Sequence, residues 1–222
     1  PMIIVGSGAV ARPDGAAVLG LARQVADAAG AVTAAWNGFN LLQRAASRVG
    51  GLDLGFVPGE GGMDTGRILD GAATGDIKVI YLLGADEIDT KDLDKPFVIY
   101  QGHHGDAGAH VADVILPGAA YTEKDATYVN LEGRVQRGQL AVYPPGDARE
   151  DWKIVRALSD SLHATLPYTT LADVRRGLVK ANPVFQGIDD IQAATWGDFG
   201  GSGEVSGAFT YPIANFYMTD PI

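Results

Sequence analysis

Three apolar runs decide what this chain can fold into: Ile77 to Leu83, Phe97 to Tyr100 and Val111 to Leu116. None alternates strictly between apolar and polar residues, and strands that are apolar on both faces suit a parallel sheet covered on both sides. The gaps between them, Gly84 to Pro96 and Gln101 to His110, are each just long enough for a short crossover. Parallel neighbours need such crossovers, so βαβ units are expected rather than hairpins. A fourth apolar run, Met2 to Val5, ends in Gly6-Ser7-Gly8. After it Val18, Leu21, Ala22 and Val25 share one helical face, with Asp14 at the N-cap position and Gly30 as the stop. The first 120 residues or so therefore read as α/β, a mostly parallel sheet flanked by helices.

The spacing of Leu41, Leu42, Ala45, Ala46 and Val49 predicts a second helix from Asn40 to Val49, and residues 50 to 76 are glycine-rich and less regular. Beyond Pro117 the pattern becomes a short β-rich segment, with strands expected at Thr127 to Val129 and Gln139 to Tyr143 around Glu132-Gly133-Arg134. Pro144-Pro145-Gly146 breaks the chain, and Asp147 is placed to cap a helix carrying Trp152, Val155, Leu158 and Leu162. Thr170 and Asp173 have capping-box spacing at the start of a last helix, which Asn182-Pro183 ends. From Gly187 no period survives, and Phe209, Tyr211, Phe216 and Tyr217 follow a glycine-rich stretch. The expected organisation is one α/β domain over residues 1–183, part of a larger domain that begins upstream, and an extended, clamped Gly/aromatic tail over residues 184–222.

Composition excludes several function classes. The 222 residues carry 17 Lys+Arg against 27 Asp+Glu, a formal charge of −10, and include no cysteine. A chain of this length buries about 70% of its unfolded surface, so it needs no disulfide staples. Without thiolates it offers no Cys-ligated iron–sulfur cluster, no thiolate zinc site and no cysteine nucleophile. The acidic balance argues against nucleic acid, since the densest basic group is Arg175-Arg176 near Lys180. No apolar run approaches the roughly 18 residues that span a bilayer, and Pro1 stands directly before a strand-like run, so the chain is expected to start inside a longer polypeptide.

Gly6-Ser7-Gly8-Ala9-Val10-Ala11 has the G-x-G-x-x-A spacing of a dinucleotide turn, which makes Gly6 and Gly8 cofactor-binding candidates. Pro13-Asp14-Gly15 delays the helix behind them, and no acidic residue ends a second strand about 20 residues on, so a tight strand-to-helix turn is the favoured reading. His103, His104, Asp106, His110 and Asp113 follow the strand at 97–100, where α/β folds place ligands. Adjacent histidines on extended backbone point to opposite faces, which disfavours a metal site at His103 and His104 and favours a glycine-shaped loop. Ser-His-Asp chemistry lacks a nucleophile elbow. Glu123, Asp125 and Glu132 have Lys124 and Arg134 beside them, so solvated or loop-fixing pairs outweigh general acid–base work. Arg134 can tie Glu123 or Glu132 to neighbouring carbonyls, and Arg134→Ala is expected to lower stability or assembly.

The run Ala112-Asp113-Val114-Ile115-Leu116-Pro117, followed by Glu123, Thr127, Asn130 and Glu132-Gly133-Arg134-Val135-Gln136, closely resembles a signature of the molybdopterin oxidoreductase superfamily. More narrowly, Tyr100-Gln101-Gly102-His103-His104-Gly105-Asp106, Arg149-Glu150-Asp151-Trp152-Lys153 and Asn215-Phe216-Tyr217-Met218-Thr219-Asp220 resemble the large iron–sulfur subunits of respiratory complex I, NADH:quinone oxidoreductase. The resemblance implies a longer chain with iron–sulfur clusters upstream and, behind them, a molybdopterin-oxidoreductase-like region that has lost its cofactor. It implies no catalytic residue, metal or cofactor in this stretch. The expected partners are the other subunits of the complex I peripheral arm, on the cytoplasmic face of a bacterial inner membrane or the mitochondrial matrix side. Two further readings stay open on the residues alone: a domain binding a pterin nucleotide, dinucleotide or metal, and a free-standing acidic module gripping a partner through Trp196 to Ile222.

Overall fold

The apolar residues Ile3, Ile4 and Val5 form the first strand, as the run at the start predicts. In the computed structural model, which describes residues 1–105, 107–192, 194–206 and 208–209, β1 (Ile3–Gly6) leads into a single helical turn, α1 (Ser7–Val10), and then into α2 (Gly15–Ala28). A two-residue pair, β2 (Val32–Thr33) and β3 (Trp36–Asn37), reverses the chain. Strand β4 (Phe39–Leu42) then runs parallel to β1, with Ile3 opposite Phe39 and Val5 opposite Leu41. The helical spacing over Asn40 to Val49 is therefore overruled: its first residues pair with β1, and helix begins only at α3 (Arg48–Asp53). A neighbouring strand that needs a partner outweighs a weak local preference.

Helix α4 (Thr65–Thr74) lies inside the stretch whose glycines suggest irregular chain. Asp64 caps it, its carboxylate accepting the Arg67 amide at 2.9 Å, and Gly75 ends it in the left-handed region at φ 84. Strands β5 (Val79–Leu83), β6 (Phe97–Gly102) and β7 (Val114–Pro117) form a parallel sheet in that order, as their apolar runs predict. The β6–β7 crossover holds one short helix, α5 (Ala107–Val111), whereas the β5–β6 crossover has no helix. One face of the sheet is a core: Ile80, Leu82, Val98 and Tyr100 pack with Ala72 of α4 and with Leu93. The other face is partly covered: Gln101 is buried and Tyr81 and Ile99 are half-buried, whereas Val79, Leu83 and Phe97 are exposed.

Strands β8 (Ala126–Val129) and β9 (Val135–Gly138) form the hairpin around Glu132-Gly133-Arg134. The second strand comes earlier than Gln139 to Tyr143, because Gly133, at φ 84, closes a tight turn in which Asn130 accepts the Glu132 and Arg134 amides at 2.9 and 3.0 Å. Helix α6 (Asp151–Ser161) starts four residues after Asp147, with Glu150 at its N-cap. Helix α7 (Leu171–Ala181) has the predicted capping box: Thr170 accepts the Asp173 amide at 3.2 Å, and the Asp173 carboxylate accepts the Thr170 amide at 2.7 Å.

The described residues group into two units. The first holds residues 1–51, the hairpin tip 128–136 and the chain from Gly187 onward; the second holds 52–127 and 137–186. Tyr211, Phe216, Tyr217 and the run Asn215 to Asp220 lie outside the described residues.

Candidate functional site

The carboxyl edge of a parallel sheet is where an α/β fold leaves a crevice for a ligand. In the second unit that edge is occupied by a chain of polar side chains. Gln101, near the end of β6, is fully buried at 0% exposure. Its Oε1 accepts a hydrogen bond from the Tyr81 hydroxyl of β5, and its Nε2 donates to Asp151 Oδ1 at 2.9 Å. The other oxygen of Asp151 is ion-paired with Lys124. A primary amide has two donors and an acceptor to satisfy when buried, and here both of its ends are engaged. Burial pushes the Tyr81 hydroxyl up, and the charge on Asp151 pushes it the same way, so Tyr81 stays a neutral donor. Asp151 sits in the first turn of α6, where a carboxylate complements the helix dipole. Gly118 gives it room, since a Cβ there would stand 3.0 Å from Asp151 Oδ1.

The turn leaving β6 is wound around one ring. The Tyr100 hydroxyl donates to the His104 carbonyl at 3.1 Å, and a Cβ on either Gly102 or Gly108 would collide with the Tyr100 ring. Asp86 holds the far side, accepting the Gly108 amide at 2.9 Å. His103 and His104 are exposed and meet edge to face, their ring centroids 4.5 Å apart. Asp113 is engaged with β6, accepting the Val98 amide at 2.7 Å, and Asp106 lies outside the described residues. Among the described residues no group of three or more His, Cys, Asp or Glu is placed to hold a metal ion.

Gly6 and Gly8 sit at the carboxyl end of β1. Gly6 occupies the N-cap of α1 in ordinary extended conformation, and Gly8 is buried within that four-residue helix. The helix that a pyrophosphate would need is α2, and its N-terminus already carries an anion. Arg12 donates to both Asp14 oxygens at 2.7 and 2.6 Å, and Asp14 also accepts the Ser206 amide at 2.9 Å. The Arg12 hydrogen bond, followed by the Ser206 amide, holds the Asp14 carboxyl below the usual carboxylate range.

Two of the remaining carboxylates named from the sequence are bound to backbone. Glu123 accepts the Ala120 amide at 2.9 Å and Asp125 accepts the Leu140 amide at 3.2 Å. Arg134 reaches Glu132 at 3.8 Å but not Glu123, and its main tie is a 2.5 Å hydrogen bond to the Asp189 carbonyl. The first unit also has an open cleft of about 290 Å³ lined by Gln43, Val49, Tyr128, Asn130 and Gln136 among others. Sequence reasoning missed the Tyr81–Gln101–Asp151–Lys124 chain. Its only signal is a polar Gln at the end of an otherwise apolar strand.

Residues 1–161 match the family model of the molybdopterin oxidoreductases. The chain belongs to the molybdopterin oxidoreductase family. Among curated proteins it is 48% identical over 185 residues to the NADH-ubiquinone oxidoreductase 75 kDa subunit of Reclinomonas americana, covering 82% of this chain and 26% of that protein. It is 46% identical over 235 residues to the mitochondrial NADH-ubiquinone oxidoreductase 78 kDa subunit of Candida albicans, covering 100% of this chain and 31% of that one. The chain thus spans about a quarter to a third of the length of these relatives. Among solved structures, acetylene hydratase from Pelobacter acetylenicus aligns at 22% identity and a TM-score of 0.36, over 52% of this chain and 16% of that one, a likeness too slight to carry an argument. No helix among the described residues is long and apolar enough to cross a membrane.

Proposed function

We propose that this chain is a cofactor-free structural segment of the large iron–sulfur subunit of NADH:quinone oxidoreductase, with residues 1–183 as its molybdopterin-oxidoreductase-like domain and 184–222 as its tail. The iron–sulfur clusters belong to the upstream part of that subunit. The segment contributes architecture to the peripheral arm, where it packs against other subunits on the cytoplasmic or matrix side of the membrane.

The observation that carries this reading is the filled edge of the β5–β6–β7 sheet. A pterin nucleotide held there would have to displace Gln101 from Tyr81 and Asp151 and leave buried polar groups unpaired, at about 1–3 kcal/mol for each. The turn after β1 suits a phosphate no better, because Asp14 already neutralises Arg12 at the start of α2. The chain has no cysteine to ligate molybdenum. These contacts support the reading that the residues present do not hold the family's cofactor, and catalytic work is assigned to none of them.

The test is to purify the parent subunit in its native complex and measure molybdenum, tungsten, pterin and tightly held nucleotide per polypeptide. None is expected in stoichiometric amount. Recovery of one equivalent of pterin or nucleotide assigned to this segment would instead favour a cofactor-binding oxidoreductase domain. In the same complex, Asp151→Ala is expected to reduce incorporation of the subunit while leaving the iron–sulfur signal of each assembled complex unchanged.

A further inference from the structure

The described residues after Gly187 have no regular secondary structure beyond isolated bridges, yet residues 194–206 follow a defined course along α2 in the first unit. Two glycines set the closeness of that course. The Gly201 amide donates to the Ala16 carbonyl at 2.6 Å, and a Cβ built on Gly20 would fall inside the van der Waals shell of the Gly201 carbonyl oxygen. A Cβ on Gly200 would in turn strike the Gly20 backbone. Backbone lies on backbone here, and side chains at these positions would forbid it.

Both ends of the segment are held by polar groups. At one end the Trp196 indole donates to Asp27 at 2.7 Å, and Asp198 pairs with Arg23 at 2.7 Å. Trp196 and Phe199 stack edge-on at 4.9 Å and both meet Phe39 of β4. At the other end Ser206 donates its amide to Asp14 and accepts from Arg12 at 2.5 Å through its carbonyl, while the Phe209 ring lies 4.8 Å from the Arg12 guanidinium. Of the described residues 194–206 only Trp196 and Phe199 are even half-buried. A segment with few buried apolar contacts and solvent-facing hydrogen bonds opens at a small fraction of the global free energy.

We propose that residues 194–206 are a reversible strap: they dock on α2 as a cooperative unit of their own and open while β1, α2 and β4 stay folded. The Gly20–Gly201 contact is the point on which docking turns. This holds or fails independently of the assignment to a respiratory complex, because it concerns the first unit alone.

Hydrogen exchange read by mass spectrometry on the native full-length protein tests it. Strap amides, Gly201 included, should exchange about tenfold or more faster than those of α2 and β4. In Gly20→Ala the strap should approach unprotected rates while β1 and β4 change by less than about twofold. The strap exchanging in step with β1 and β4, a Gly20→Ala protein that keeps Gly201 protected, or one that loses protection equally in strap and body would each overturn the proposal. If Gly20→Ala does not fold, Asp198→Ala replaces it, because Asp198 pairs with Arg23 of α2. There, faster exchange confined to the strap is expected, and unchanged exchange counts against it.

Discussion

The two parallel sheets end differently. At the carboxyl edge of β5–β6–β7 the crevice is closed from inside by Gln101, a side chain with no solvent exposure whose partners come from a strand and a helix start. At the carboxyl end of β1 closure comes from an ion pair, Arg12–Asp14, and the strap that Ser206 anchors to it. Both sites follow the same grammar of strand, small residues and helix. One is sealed by burial, so truncation should hurt it and salt should not. The other is sealed by an ion pair, so acid should loosen it while leaving the rest folded.

The largest effect expected from this contrast is at the buried site. Gln101→Ala leaves the Tyr81 hydroxyl and one Asp151 oxygen without a partner and should cost about 2–4 kcal/mol in urea unfolding. Gln101→Leu, which keeps the volume, should recover part of that loss, and equal losses in the two variants would break the claim that hydrogen bonding rather than filling closes the edge. Arg134→Ala removes the tie to the Asp189 carbonyl and should cost about 1 kcal/mol by the same measurement.

Thr170→Ala should cost about 1 kcal/mol through loss of the α7 cap. Asp173 sharpens the pH side of the comparison. Hydrogen bonds from Thr170, then Thr169, lower its carboxyl to about 2 from an ordinary 3.8. A carboxyl depressed in the folded state stabilises at pH above its unfolded value and loses that contribution as pH falls through the folded one. The urea midpoint of the wild type should therefore drop between pH 5 and pH 2, and less so in Asp173→Asn. Asp14, lowered by Arg12 and by Ser206, has the same sign, so the Ser206 amide should lose protection in acid before Gln101 does. The smallest effect is that of Asp198→Asn, whose side chain is 95% exposed. It should leave the urea midpoint unmoved.

Much of the second unit was legible from the residue pattern. The three apolar runs became β5, β6 and β7 in parallel order, and Thr170 with Asp173 formed the predicted capping box. What failed did so for identifiable reasons. Leu41 fits a helical period as well as a strand, and only the presence of β1 beside it decides. Helix α4 had its signals, Asp64 before and Gly75 after Ile68, Leu69 and Ala72, but Gly66 and Gly71 within it imitate a loop. Glu150 rather than Asp147 holds the start of α6, because the chain at Gly118 bridges to Arg149 and delays the helix. The Gln101 chain could not be read at all, since its members are separated by 20 and 50 positions along the sequence. Contacts of that span exist only once the sheet has formed.

The Tyr100 ring between Gly102 and Gly108 ties three positions into one inheritable choice. A relative that carries a side chain at either glycine must carry something smaller than tyrosine at position 100, and a relative that keeps the ring must keep both gaps. Aligned across many members, these three columns should change together or not at all, whatever the histidines between them do.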